Sequence, residues 1–151
     1  MTRRSTYRAR VGYIDTDQAG VVHHTTYLRW LEQARIELLR EGGLEYKAWE
    51  AGTRLGLPVV EAHVRYLQPA RFDDVVLCET WIGAASRAAI RFDSRVTVEG
   101  NPTVIHEAQI RLACVHLDGG PRRMPDEVLR ACLGPGFEAE LVGVGRTKPG
   151  R

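Results

Sequence analysis

Cysteine is scarce in this 151-residue chain. The three present, Cys78, Cys114 and Cys132, are an odd number without metal-like spacing. They give no disulfide framework and read as reduced thiols in a cytoplasmic protein. Charge of one sign is also lacking. Twenty-one Lys and Arg against 19 Asp and Glu leave a formal net charge of +2, too little to argue for nucleic acid. Nor are aromatics interleaved with basic residues in the manner of a nucleic-acid-binding face. No apolar run approaches the ~18 residues that span a bilayer. Ser5 to Arg10 offers no apolar core for a signal peptide. Neither a G-x-G-x-x-G nor a P-loop pattern occurs, so any phosphate must be recognised mainly by side chains.

What is present fits one domain. A chain of this length buries roughly 68–70% of its unfolded surface, and 44% apolar with 26% charged residues is ordinary for a globular protein. Residues 7–13 alternate, with Tyr7, Ala9, Val11 and Tyr13 on one side, which predicts a half-buried strand. Thr25 or Thr26 then caps a helix to about Arg40. Its stripe is Tyr27, Leu31, Ala34 and Leu38, widened by Leu28 and Leu39, and Gly42-Gly43 ends it. A short helix is expected over 44–52. Strands follow from Pro58, with Val60, Ala62, Val64 and Tyr66 on one face, then over about 75–84 and 88–98. A last strand, about 103–117, has Val104, Ala108, Ile110, Leu112 and Cys114 on one face. A short helix follows Pro125. The pattern is α+β: one long helix whose apolar stripe must be covered, wrapped by a five-stranded curved antiparallel sheet. The domain is expected over 1–134. Gly, Pro and charge without periodicity predict a flexible C-terminal tail over 135–151.

The densest chemistry lies in residues 13–24: Tyr13-Ile14-Asp15-Thr16-Asp17-Gln18-Ala19-Gly20-Val21-Val22-His23-His24. It packs two carboxylates, a glycine turn and two imidazoles against a helix start, where unpaired backbone N–H groups and the helix dipole favour negative charge. An acyl carbonyl bound there is polarised while a carboxylate attacks it. Alone, either aspartate reads as a turn cap. Asp15 is the better brace for the loop, and Asp17 the better catalyst. Asp15, Asp17, His23 and His24 also carry metal-ligand atoms, but adjacent histidines rarely reach one ion and no third cluster completes the set. No metal or other cofactor is expected. His63, His106 and His116 read as satisfied by local hydrogen bonds. Glu32 and Arg35, three apart on the helix, read as a buried pair.

These residues resemble a known family. Asp15-Thr16-Asp17, Ala19-Gly20-Val21-Val22, His24, Tyr27 and the helix with Glu32, Ala34 and Arg35 are similar to the hotdog-fold acyl-CoA thioesterases of the 4-hydroxybenzoyl-CoA thioesterase superfamily. The bacterial Tol–Pal-associated subfamily is the nearest type. Pro69-Ala70-Arg71-Phe72-Asp73-Asp74, Glu107-Ala108 and Arg122-Arg123-Met124-Pro125 fit it too, so the resemblance covers about residues 5–130. It implies a homodimer whose two sheets join into one, commonly doubled to a homotetramer, with active sites at the dimer interface and no metal. By residue matching, Asp17 takes the catalytic carboxylate position and His24 the position at the helix start. Tyr13 is a supporting aromatic, and Gly20, Val22 and His23 lie along the substrate. His23 stands where an aromatic or aliphatic residue is common, which leaves the acyl preference open.

A CoA thioester carries phosphates, which arginine binds with forked donors. Arg87, Arg122 and Arg123, at strand ends or turns, are assigned to it. The expected reaction is hydrolysis of an acyl-CoA to a carboxylic acid and free CoA, with Asp17 as nucleophile or as general base on water. Acyl carrier protein thioesters stay open as donors. The rivals are a hydratase or dehydratase of the same fold and a non-catalytic acyl-thioester-binding module.

Overall fold

The structure, a computed structural model, describes residues 3–141. The chain runs β1 (Arg4–Arg10), a 3-10 turn (Tyr13–Asp15), α1 (Thr26–Glu41), α2 (Tyr46–Thr53), β2 (Leu55–Gly56) and β3 (Val59–Tyr66). Then come β4 (Val75–Ala85), β5 (Ile90–Val98), β6 (Asn101–Leu112), β7 (Cys114–His116), β8 (Pro121–Arg122), α3 (Asp126–Leu133) and a second 3-10 turn (Phe137–Glu140). Five strands form one antiparallel sheet in the order β1-β4-β5-β6-β3. A small second sheet holds β2-β7-β8. The long helix lies on the five-stranded sheet, the hotdog arrangement expected from the resemblance.

The α1 stripe makes the core. Leu31, Ala34 and Leu38 are fully buried, with Tyr27 and Trp30 close to it. They meet Val76, Cys78, Ile90, Phe92, Val96, Ala108 and Ile110 from the alternating inward positions of β4, β5 and β6. Truncating a leucine there, such as Leu31→Ala, typically costs about 2–5 kcal/mol. Leu28 departs from expectation and is 39% exposed, although Leu39 on the same flank is buried. The difference is α3, which packs against α1 at its C-terminal end. There a Cβ on Gly42 would stand 2.1 Å from the Ala131 carbonyl oxygen.

Other expectations are corrected locally. β1 stops at Arg10, because the Asp15 carboxylate accepts the Gly12 N–H at 2.8 Å and closes a turn. Tyr13 therefore points outward, 80% exposed. Bulges in β6 pairing put Ile105 inward in place of Val104. The last strand breaks at Ala113, and β7 joins the small sheet. Arg35 is buried and Glu32 exposed, so the expected buried pair is one-sided. Burial lowers the Arg35 pKa, and the Glu32 charge opposes that shift. Part of the expected tail is docked: Phe137 is buried beneath the guanidinium groups of Arg87 and Arg130, each 5.6 Å from its ring. The rest of that segment, 142–151, lies outside the described residues. Among the described residues, no helix is long and apolar enough to cross a membrane.

Candidate active site

The loop between β1 and α1 is held by its own backbone. Val11 N–H donates to the Asp74 carbonyl at 2.8 Å, and Val22 N–H donates to the Ala70 carbonyl at 2.8 Å. Thr16 and Val22 pair as an isolated antiparallel bridge. Asp17 N–H donates to the Val21 carbonyl at 2.9 Å. The loop is thus a small hairpin with Asp17 at its tip. Gly20 carries the left-handed φ of +79° that the turn requires.

Asp15 is the brace. It is buried, accepts the Gly12 N–H and pairs with Arg29. Its backbone carbonyl also accepts the His23 N–H at 2.8 Å. Asp17 is set differently. One oxygen, Oδ1, accepts the Ala19 N–H at 2.9 Å and the Val21 N–H at 3.4 Å. Among the described residues Oδ2 has no partner, and the side chain is half-buried. One oxygen is held and the other is free to act, which a nucleophile or a base requires.

The histidines stand at the helix start. Their rings stack with centroids 4.3 Å apart. His23 Nδ1 accepts the Thr25 N–H at 3.2 Å, with Thr25 Oγ1 at 2.7 Å. The His24 ring is exposed, and its N–H has no acceptor among the described residues. That N–H is a free donor beside the helix N-terminus, suited to a developing oxyanion. The Thr16–Val22 bridge joins the segment leading into Asp17 to the segment leading into His24.

Tyr13 does not join them. Its ring rests on Phe72 at 4.9 Å, on the surface. Its contribution is the carbonyl that accepts Thr16 Oγ1 at 2.8 Å. Val22 is buried beneath the loop and Gly20 is exposed at its tip. The three arginines lie elsewhere. Arg87 is committed to Asp126 at 2.5 Å and to the Met124 carbonyl at 3.1 Å, tying the β4–β5 turn to α3. Arg122 and Arg123 are exposed; Arg122 reaches only the carbonyl of Pro121, and Arg123 has no partner among the described residues. They follow the Leu112 end of β6. The reaction loop lies by Tyr66, opposite His106 on the same strand. Six residues of strand put the two ends about 20 Å apart. One protomer therefore does not bring these arginines to Asp17.

Two site residues escaped the sequence reading. The Tyr66 hydroxyl donates to the His24 carbonyl at 2.8 Å. His106 is fully buried under it, and neither of its ring nitrogens has a partner among the described residues. The local hydrogen bonds expected for His106 are absent, whereas His63 meets Glu61 at 2.7 Å and His116 accepts the Asp118 N–H at 3.1 Å. Burial pushes the His106 pKa down to about 4. It raises those of Tyr27 and Tyr66, which stay phenols. Cys78 and Cys132 are pushed up to about 12 by burial and are not thiolate nucleophiles. Among the described residues no group of three His, Cys, Asp or Glu converges as a metal site.

Known proteins share this sequence and fold. A profile of the thioesterase-like superfamily matches residues 11–132. The acyl-CoA thioester hydrolase YbgC of Escherichia coli is 35% identical over 121 residues, 80% of this chain and 89% of that one. A hypothetical protein of Thermus thermophilus, solved by crystallography, superposes with a TM-score of 0.77 at 36% identity, covering 85% of this chain and 96% of that chain. A 1,4-dihydroxy-2-naphthoyl-CoA thioesterase of Synechocystis superposes with a TM-score of 0.79 at 25% identity, covering 85% and 95%.

Proposed function

The chain belongs to the thioesterase-like superfamily, and from that premise we propose how it hydrolyses an acyl-CoA thioester to a carboxylic acid and free CoA. The Asp17 carboxylate carries the reading, with one oxygen gripped by two N–H groups and the other free before an open helix start. The thioester carbonyl oxygen lies against the His24 N–H, which stabilises the charge that develops on it. Asp17 Oδ2 then acts in one of two ways. As nucleophile it forms a C–O bond while the C–S bond breaks, and water hydrolyses the resulting anhydride. As general base it takes a proton from water, whose oxygen forms that bond instead. Carrier-protein thioesters present the same carbonyl and are alternative donors.

The site is completed by a second copy. Both sheet edges carry charge, Arg4, Arg8 and Arg10 on β1 and Glu61, His63 and Arg65 on β3, and they differ in their apolar side chains. The β3 edge exposes Val59, Val60 and Tyr66, with Leu67 beyond it. Pairing β3 with its own copy about a two-fold axis gives a ten-stranded sheet. The antiparallel pairing lays the Leu112 end of one copy beside the Tyr66 end of the other. Arg122 and Arg123 of the second copy thereby approach the Asp17 loop and meet the CoA phosphates. Pairing of two such dimers makes a homotetramer. Three buried cysteines without disulfides suit the cytoplasm.

The test is Asp17→Asn. Asparagine keeps the Oδ1 acceptor for the Ala19 N–H, so the loop and the melting temperature hold while thiol release falls at least ~10²-fold. Thiol release at the wild-type rate refutes the assignment.

A further inference from the structure

His106, Tyr66 and Tyr27 join the sheet edge to the reaction loop. His106 lies flat on Tyr27, centroids 4.5 Å apart and planes 5° from parallel. Tyr66 stands edge-on to both, at 4.9 Å from His106 and 5.8 Å from Tyr27. Tyr66 and His106 are directly opposed in the β3–β6 ladder, so their side chains share the helix-facing side of the sheet. Two tethers cross from this side of the molecule to the loop. One is the backbone bond from Val22 to Ala70, whose own N–H donates to the Tyr27 hydroxyl oxygen at 3.4 Å. The other is the Tyr66 hydroxyl on the His24 carbonyl, 42 residues away in sequence.

The second tether acts on the residue whose N–H faces the substrate. The His24 backbone belongs neither to the hairpin ladder nor to α1, which begins at Thr26. Its N–H is free and its ring is exposed, stacked only on the adjacent His23 and edge-on to Tyr66. Among the described residues, the Tyr66 hydroxyl is the one side-chain group from the sheet that restrains it. Tyr66 is itself on an edge strand and 48% exposed, so strand pairing alone does not fix its ring. The buried imidazole and the Tyr27 ring do that. They form a flat aromatic seat that leaves the hydroxyl pointing at the helix start.

The geometry points to Tyr66 as a positioning residue for thioester hydrolysis. Seated on His106 and Tyr27, it holds the His24 peptide so that the free N–H lies where the thioester carbonyl binds. This rests on the thioesterase reading of the same loop. Tyr66 touches no reacting atom. It acts through His24, and because it stands on the β3 edge it ties the assembled sheet to the chemistry.

Tyr66→Phe keeps the ring and removes only the tether. Amide hydrogen exchange of His23, Thr25 and Thr26, the bonded amides on either side of His24, is expected to quicken about tenfold, while β5 amides exchange as in the wild type. On an acyl-CoA, kcat should fall about tenfold, with KM within about twofold, because binding of the nucleotide is untouched. His106→Ala removes the seat and should reproduce the Tyr66→Phe losses, and the double variant Tyr66→Phe/His106→Ala should be little worse than either alone. Unchanged exchange in Tyr66→Phe refutes the tether whatever the activity. Quicker exchange with unchanged kcat refutes its role in the reaction. A wild-type protein that releases no thiol from any acyl-CoA overturns the thioesterase reading and with it this role, and exchange then reports only on the tether.

Discussion

His106→Phe should flatten the pH dependence of stability. The imidazole is fully buried and has no hydrogen-bond partner among the described residues, so folding strips its water without replacement. That disfavours the charged form and pushes its pKa down to about 4 from the ordinary histidine value of 6.5. In the unfolded chain it takes up a proton near pH 6.5; in the folded chain, only near pH 4. Between those values the unfolded state binds more protons, so stability falls as pH falls. The loss is absent above pH 7 and amounts to at most about 2 kcal/mol at pH 5 and about 3 kcal/mol at pH 4, from about 1.4 kcal/mol per pH unit. Phenylalanine removes the polar atoms but is bulkier than imidazole, so its packing cost sets a constant offset and the change with pH is what is read. Urea unfolding of both proteins at pH 7.5, 5 and 4 measures this. Carboxylate titration is common to both and cancels in the difference. If wild type and variant lose stability in parallel between pH 7.5 and 4, either His106 is protonated in the folded protein or its surroundings solvate it, and the argument from burial fails.

Further outcomes follow from the same structure. Gly42→Ala drives a Cβ to 2.1 Å from the Ala131 carbonyl oxygen, which is backbone, so α1 and α3 must part. A loss of about 1–3 kcal/mol is expected from the denaturant midpoint. Arg122→Ala and Arg123→Ala should raise KM for acyl-CoA more than they lower kcat, and do less to a thioester that lacks the nucleotide. Arg87→Ala, whose guanidinium is taken by Asp126 and Met124, should leave KM alone and lower the melting temperature. Equal KM effects for all three would show that the ion pair at Arg87 opens in solution. Val60→Asp puts a charge on the exposed β3 edge. By light scattering it should leave a monomer, and the monomer should have lost most thiol release; an active monomer would refute the shared site.

Local patterns in the chain mark the elements and the loop that carries the candidate carboxylate. The four-residue spacing from Tyr27 to Leu31 and the strict alternation of Ile90, Phe92, Ser94 and Val96 are local patterns. They are read out by helices and strands of fixed period whatever surrounds them. The setting of Asp17 is local too: the Ala19 and Val21 N–H groups that hold its Oδ1 are neighbours in the chain, so the turn is written in consecutive residues. What depends on distant segments meeting emerges only in the folded protein. Leu28 and Leu39 share a flank of one helix, and only α3, some 90 residues on, separates the exposed one from the buried one. Arg87 reads as a phosphate ligand from its place beside a turn, and only the fold shows that α3 sets Asp126 against it. His106 and Tyr66 gave no signal, because a polar residue on the inward face of a strand looks the same whether water, a partner or only aromatic rings surround it. Their roles come from a ladder pairing and a hydrogen bond that spans 42 residues. Local periodicity is a property of the chain, whereas the burial of one particular polar atom is a property of everything folded around it.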